Sequence, residues 1–585
     1  MMSEIEKSRI EELAMKYAVQ NAMKYGKAKI EPVMAKIMAE LPEYRSQAYE
    51  IKKTVERIVE EVNKMDKADL EEIASRFGVT LEKKKQEAER KWPELKNAEI
   101  GLVVTRVAPE PNGYPTLGHA KGLLVPFIYA RIYKGKFLLR FEDTNPRVEK
   151  REFYDAIREE FKALLEGAER ELGLSPGRWD EEIIESNYLP QMYSMAERLI
   201  EQGDAYVCTC DAKKVRKLRA EGVECEHRKN PKEKNMELWK EMINGGIPEG
   251  GAHLRLKTDM NHPNRTMRDP GIFRIVEAEH PIHGRKYRVY PTYDFSISVM
   301  DSLTGVTHAF RSKEFEPHVE VQRTILEKLN LRKYEMIQFG RVTVEGVPLS
   351  KRYIRPLIES GILQGWDDPR IPTLRGLFRR GITPEAISRF FYDLGPSKVD
   401  STISMDAIAA YNRKILDPVV PRYMFVPDPV RAVVEDFPDG LKATVQVHPS
   451  RQDMGYREIK VPAKKGTAVL YIAGEDKKML KEGDLIRLRG LSTAVVRSIM
   501  PDEISLKHIS EKKESEKVIQ WVPADQAVPV KVFKPLSSYS ISVVGGFGEP
   551  AMKELRPGDM IHLIRYGFAK VDSLDRTVNL IFSHE

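Results

Sequence analysis

Apolar positions in the N-terminal part of the chain recur with a helical period. Ile10, Leu13, Ala14, Tyr17 and Ala18 share one face of a repeat of about 3.6 residues, and Val55, Ile58, Val59 and Val62 repeat the pattern. Glutamate and lysine fill the positions between them, and no residue group there suggests chemistry. Residues 1–98 therefore predict a helical domain. At Glu99 the pattern changes. Ile100-Gly101-Leu102-Val103-Val104-Thr105 is a β-like run, followed by a turn-rich stretch from Ala108 to Pro115. A helix is predicted from near Gly118, turning Leu123, Leu124, Phe127 and Ile128 inward, with a second strand at Lys136-Phe137-Leu138-Leu139-Arg140-Phe141. Strand, loop, helix and strand in quick succession open a doubly wound nucleotide-binding sheet.

From about Met424 short apolar runs alternate with Gly, Pro and Asp turns. Examples are Ala443–Val447, Ala468–Ile472 and Leu485–Leu488. This rhythm predicts an all-β barrel or sandwich region over 421–585, and with the α/β body over 99–420 the chain is expected to be multidomain α/β plus all-β. There is no internal repeat and no low-complexity tract.

Composition narrows the class. The 585 residues exceed one ordinary domain, and 41% hydrophobic against 31% charged is a balance that supplies real cores. No stretch approaches the roughly twenty uninterrupted apolar residues of a membrane span. The N-terminus lacks the basic-then-apolar layout of a secretory signal, and three cysteines are too few for a disulfide framework. A cytoplasmic protein with no membrane partner is expected. The net charge of +7, from 95 basic and 88 acidic residues, favours a polyanionic partner only slightly.

Two segments carry candidate phosphate chemistry. Gly118 at a helix N-terminus lets a phosphate approach free N–H groups and the positive end of the dipole, and His119 beside it donates to phosphoryl oxygens as charge shifts. A lone Gly-His pair is more often a turn followed by a helical histidine. Far downstream, Val347-Pro348-Leu349-Ser350-Lys351-Arg352 offers a lysine and a serine that clamp a leaving pyrophosphate. Alone, Ser-Lys-Arg is an ordinary surface loop.

Together the strings are specific. Pro109-Glu110-Pro111-Asn112-Gly113-Tyr114, then Leu117-Gly118-His119-Ala120-Lys121, resembles the ATP signature of class I aminoacyl-tRNA synthetases in the form used by the glutamyl/glutaminyl subgroup. Leu349-Ser350-Lys351-Arg352 resembles that class's second signature. Arg140–Pro146, Tyr290–Phe295, Gly365–Arg370 and Arg379–Ala386 resemble further strings of the subgroup. The resemblance implies a Rossmann-like catalytic domain over 99–420 that binds ATP with Mg2+ through both signatures, with His119 and Lys351 as catalytic groups. It places an acceptor-binding insertion at about 188–289, and the signature loop with a helical connector at about 345–420. Thr116 stands where the first signature usually has another histidine; its hydroxyl can donate to a phosphate oxygen but is shorter and never cationic. A tRNA-binding scaffold with a dead catalytic fold is the alternative that Thr116 supports.

The resemblance also implies an amino-acid pocket. Arg106 matches the arginine that meets the substrate carboxylate, Glu142 the acid that pairs with the α-ammonium, and Tyr293 the tyrosine that hydrogen-bonds the amino acid. Arg311 stands where glutamate enzymes carry arginine and glutamine enzymes a small uncharged residue. A guanidinium suits the γ-carboxylate of L-glutamate and disfavours an amide. With barrels at the C-terminus in an anticodon-binding role, an archaeal-type glutamyl enzyme is implied, acting on tRNA(Glu). Whether tRNA(Gln) is also charged rests on anticodon contacts that barrel sequence leaves open. Finally, Cys208-Thr209-Cys210 and Cys225-Glu226-His227 form a soft four-ligand set suited to structural zinc, Zn2+, and some glutamyl enzymes hold zinc on such a layout. Free thiols in a small insertion are the other reading.

Overall fold

The computed structural model describes residues 4–25, 27–41, 44, 47–65, 69–70, 73–74, 77, 92–346, 351–511, 515–536 and 539–585. The chain divides into two compact units, Met1–Pro93 and Glu94–Glu585.

The first unit is helical: α1 (Glu4–Tyr25), α2 (Ile30–Glu40) and α3 (Ala48–Val62). Its core holds Ile10, Ala14 and Ala18 against Ile37, Val55, Ile58, Val59 and Val62, while Leu13 and Tyr17 are half-buried beside it. The 3.6-residue periodicity translates into this packing because side chains about one turn apart share a helix face.

The second unit opens with β1 (Val104–Val107), α4 (Leu117–Ile132), β2 (Lys136–Phe141), α5 (Arg151–Leu172) and β3 (Glu181–Ile184). β1, β2 and β3 pair in parallel. β1 begins later than the apolar run suggests. Gly101 turns the chain at φ +86°, and Ile100 and Leu102 are 65% and 63% exposed. On α4, Leu117, Leu123, Leu124, Phe127 and Ile128 are buried, the inward face read from the sequence together with Leu117.

Next come α6 (Leu189–Gln202), β4 (Ala205–Cys208), α7 (Ala212–Glu221), α8 (Lys232–Asn244), β5 (His253–Leu256), β6 (Gly271–Ile275) and β7 (Val289–Pro291). The strands β4 to β7 form one antiparallel sheet in sequence order. The doubly wound body then resumes with α9 (Tyr293–Leu303), β8 (His308–Ser312), α10 (Val319–Lys328) and β9 (Glu335–Phe339), β8 and β9 running parallel. β8 lies along β1: Thr307 N–H donates to the Val104 carbonyl at 2.9 Å, and Val104 N–H to the Thr307 hydroxyl at 2.8 Å. The strand order is therefore β3-β2-β1-β8-β9, with its reversal point between β1 and β8.

After β10 (Val342–Val344) follow α11 (Lys351–Glu359), α12 (Leu374–Arg380), α13 (Pro384–Leu394), β11 (Ser401–Ile403) and α14 (Met405–Leu416). The rest is β-rich. One seven-stranded sheet and one eight-stranded sheet each close most of the way round a core, the first around Val530, Ile561 and Leu580, the second around Val434, Leu470 and Trp521. The strands read from sequence are present as Lys442–Gln446, Thr467–Ala473 and Leu485–Leu488. No described helix is long and apolar enough to cross a membrane.

Candidate active site

A cavity of about 790 Å³ opens at the carboxyl ends of β1, β2, β8 and β9, where open parallel sheets place their ligands. Its lining includes Arg106, Pro109, Glu110, Thr116, Gly118, His119, Glu142, Tyr293, Arg311 and Arg352, bringing together residues separated by more than two hundred positions.

The N-terminus of α4 forms one wall. Thr116 is extended at φ −124° and precedes the first helical residue. Its N–H donates to Nδ1 of His119 at 3.1 Å, and its hydroxyl lies 3.0 Å from the same nitrogen. Nδ1 therefore supplies a lone pair, and the neutral ring carries its proton on Nε2. The Thr116 hydroxyl is engaged with the imidazole and orients it. Gly118 and His119 line the cavity at the positive end of the helix dipole. One turn on, Lys121 is buried, donates to the Gly340 carbonyl at 2.5 Å and sits over the Phe339 ring at 5.6 Å. Burial lowers its pKa. Gly340 is obligatory there, since a Cβ would fall 2.1 Å from the Val399 carbonyl oxygen.

The opposite wall is a cluster of arginines and acids built on one residue that sequence reading missed. Asp301 of α9 is fully buried and accepts from Arg106 Nε and Nη2 at 2.9 and 3.0 Å, Arg140 Nη1 at 2.7 Å and Arg311 Nη2 at 2.9 Å. Burial opposes its charge, yet Arg106, Arg140 and Arg311 hold the carboxyl well below the usual range. Arg106 also donates through Nη1 to the Phe310 carbonyl at 3.0 Å. Arg140 is completely buried and flanked by Glu142 at 3.5 Å and Glu185 at 3.6 Å. Burial pushes the Glu142 carboxyl up, against the pull of Arg140 and Arg106. Burial also raises the Tyr293 phenol, with Arg311 pulling the other way.

Arg311 has spare capacity. Its Nη2 is shared between Asp301 and the Tyr334 hydroxyl at 3.1 Å, but its buried Nε and Nη1 make no hydrogen bond. An unsatisfied buried donor costs about 1–3 kcal/mol, more when charged. Two on one guanidinium at the cavity wall suit an anionic ligand group.

The remaining signature residues divide. Pro111, Asn112 and Gly113 stay outside the lining. Asn112 donates to the Glu110 carboxylate, and Asn145 reaches the same group at 3.3 Å. Tyr114 packs behind the loop, with the Arg375 guanidinium 4.0 Å above its ring and Trp366 5.7 Å away. Leu374 N–H donates to the Pro115 carbonyl at 3.0 Å, and Leu117 N–H to that of Pro372 at 3.2 Å. The downstream string around Trp366 thus braces the first signature from behind. Leu349 and Ser350 lie outside the described residues, as does the side chain of Lys351. Arg352 reaches the cavity.

Cys208, Cys210, Cys225 and His227 converge at the end of β4, their donor atoms all within 4.8 Å of one another. Cys208 and Cys225 sulfurs are 3.7 Å apart, close to the edge of a tetrahedron with metal–sulfur bonds of about 2.3 Å. His227 turns Nδ1 to the sulfurs, 3.3 Å from Cys210, and its Nε2 is fixed by the Thr209 hydroxyl at 2.8 Å. Buried Arg255 stands 3.8 Å from the Cys225 sulfur, where its charge offsets thiolate. A second cavity of about 530 Å³ lies between the two C-terminal sheets, lined by Arg422, Arg487, Arg489, Gln446 and Tyr456, the tyrosine 59% exposed.

Comparison with known proteins bears on both regions. Residues 102–418 match the model for tRNA synthetases class I (E and Q), catalytic domain. Residues 420–512 and 518–572 match two models for the anti-codon binding domain of the same synthetases. The chain is 60% identical over 577 residues to a glutamate–tRNA ligase of Korarchaeum cryptofilum, covering 98% of this chain and all of the relative. It is 39% identical over 589 residues to that of Pyrococcus furiosus, again covering 98% and 100%.

Proposed function

The chain belongs to the class I tRNA synthetases for glutamate and glutamine, and from that membership we propose that it attaches L-glutamate to tRNA(Glu) in the cavity at the ends of β1 and β8. The observation that carries the choice of amino acid is Arg311, a buried cation with two nitrogens free for the γ-carboxylate. A glutamine amide would offer those two donors one neutral acceptor oxygen in place of a carboxylate. The α-ammonium meets Glu142 and Tyr293, and the α-carboxylate meets the remaining N–H groups of Arg106.

In the first step the α-carboxylate attacks the α-phosphate of ATP, supplied as its Mg2+ complex, giving glutamyl-adenylate and pyrophosphate. The Nε2–H of His119, the N-terminus of α4 and Lys351 stabilise the charge that develops on the phosphates. In the second step the 2′-hydroxyl of the terminal adenosine of the tRNA attacks the acyl carbon, the ester bond forms as the acyl–phosphate bond breaks, and AMP leaves with the hydroxyl proton passing to a phosphate oxygen or to solvent. The chain itself contributes positioning and electrostatics rather than a covalent intermediate. The sheet β4–β7 with its helices, at about 188–289, takes the acceptor end. At the far end, Arg422, Arg487 and Arg489 offer cations for phosphate and Tyr456 a ring for base stacking, so the 530 Å³ cavity suits an anticodon nucleotide. tRNA(Gln) is the alternative acceptor to be assayed beside tRNA(Glu). The thiol–imidazole set suits one structural zinc, which would pin the end of β4 to the Cys225–His227 turn. Three free thiols suit the reducing cytoplasm.

Arg311→Ala tests the pocket. Losing hydrogen bonds to a charged group, about 1.5–3 kcal/mol, raises the glutamate KM by about 10- to 100-fold and erodes discrimination against glutamine. An unchanged glutamate KM overturns the assignment.

A further inference from the structure

Behind the amino-acid pocket lies an acid that the reaction does not touch. Glu185, in the turn Glu185–Tyr188 that follows β3, has a side chain with no exposure, and neither carboxyl oxygen makes a hydrogen bond of ordinary geometry. Arg140 Nε, itself without a hydrogen-bond partner, is 3.6 Å away, while the same guanidinium gives its hydrogen bond to Asp301 on the other side. An ionised carboxylate with only a poorly aligned hydroxyl, that of Ser296, for a donor is a costly burial, whereas a protonated one is tolerated.

The local charges then add up to a preference. Arg106, Arg140 and Arg311 are balanced by Asp301 and by the Glu142–Glu185 pair that flanks Arg140. When that pair holds one proton, a single positive charge is left in excess. Glutamate, with one ammonium and two carboxylates, cancels it; glutamine does not. Were both acids ionised, the pocket would be neutral and glutamate would bring in an unbalanced charge.

We propose that Glu185 is a specificity-determining residue: kept protonated beside Arg140, it sets the net charge of the pocket to match glutamate, and its ionisation removes that match. The inference rests on the glutamate reading of the Arg311 pocket. Burial, then Glu142 and Asp143, push the Glu185 carboxyl up to about 8, with Arg140 and the Ser296 hydroxyl pulling it down. The other groups facing this region do not supply the same switch. Asp143 is held by Ser186 and Tyr154 and is raised by burial only to about 6, so it is charged throughout the relevant range. Glu149 is pushed by burial to about 9, and His280 and His283, beside Asp143, are lowered by burial and stay neutral. Glutamate binding should therefore stabilise the protonated acid, and affinity should fall as pH rises through its pKa.

The test compares the wild type with Glu185→Gln, which keeps the shape and removes the titration. Glutamate KM and kcat are measured by aminoacylation of tRNA(Glu) at about pH 7 and about pH 9. The ratio of wild-type to variant KM should rise about tenfold between the two, with the kcat ratio steady; the comparison cancels titration of Glu149 and of the substrate ammonium. A ratio that does not change with pH overturns the role of Glu185. In that event an Arg311→Ala KM that is still elevated shows that the pocket reading survives, and an unaffected one shows that both fail. Should Glu185→Gln not fold, calorimetry on the wild type with tRNA bound decides, in two buffers of different ionisation heat. At about pH 8 glutamate binding takes up about half a proton; no uptake refutes the proposal.

Discussion

Asp301→Asn removes the anion on which three guanidinium groups converge. The side chains involved are 5% exposed for Arg106, 0% for Arg140, 2% for Arg311 and 0% for Asp301 itself, so solvent replaces none of the lost charge. Taking one partner from a buried ion pair costs about 3–5 kcal/mol. Arg140 keeps Glu142, and Arg106 keeps the Phe310 carbonyl, so that range applies once rather than three times. The catalytic body is expected to lose about 3–5 kcal/mol of stability. The pH dependence follows from the sign of the shift. The folded carboxyl lies below its unfolded value of about 3.9, so its contribution is complete above about pH 5 and fades only as pH falls through the folded pKa. The Asp301 charge itself therefore contributes equally from about pH 6 to 8, and any change in the difference across that window comes from the neighbouring acids Glu142 and Glu185. Urea unfolding followed by the fluorescence of buried Trp239 measures it, as a lower midpoint at unchanged slope. A variant within about 1 kcal/mol of wild type would refute the reasoning.

Lys351→Ala should slow adenylate formation by about 10²-fold, read by ATP–pyrophosphate exchange with tRNA present, and leave tRNA affinity within about twofold. Equal losses in both would contradict its place on the pyrophosphate. Elemental analysis should find about one zinc per chain, reduced in Cys210→Ser, with thiols that react with a chromogenic reagent only after chelation. Metal-free protein whose three thiols react at once would exclude the site.

What sequence could and could not reveal follows from the range of the interactions. The α4 boundary was legible because capping and turn chemistry are local: Thr116 and Gly118 lie within one turn of the helix start. The grouping of Arg106 with Arg311 was legible only through strings resembling a family, since the two lie on different strands and meet through the sheet. Asp301 and Glu185 were not legible. Asp301 ends the run Ser296-Ile297-Ser298-Val299-Met300 on α9 and looks like an ordinary polar position, yet its partners lie 195, 161 and 10 residues away. The one available signal was an acid interrupting an otherwise buried helix. Ile100 and Leu102 misled because alternation cannot distinguish an apolar turn from the first residues of a strand. The contact that Thr116 makes was not legible for a related reason. Its partner, three residues on, is a side chain that the signature had already assigned to phosphate.

The measurement that tests the central claim most directly is initial-rate charging of tRNA(Glu) and tRNA(Gln) by the wild-type protein, with labelled glutamate and with labelled glutamine. The account predicts glutamate on tRNA(Glu) and no measurable glutamine on either acceptor. Glutamine on tRNA(Gln), or no charging with either amino acid, would contradict it.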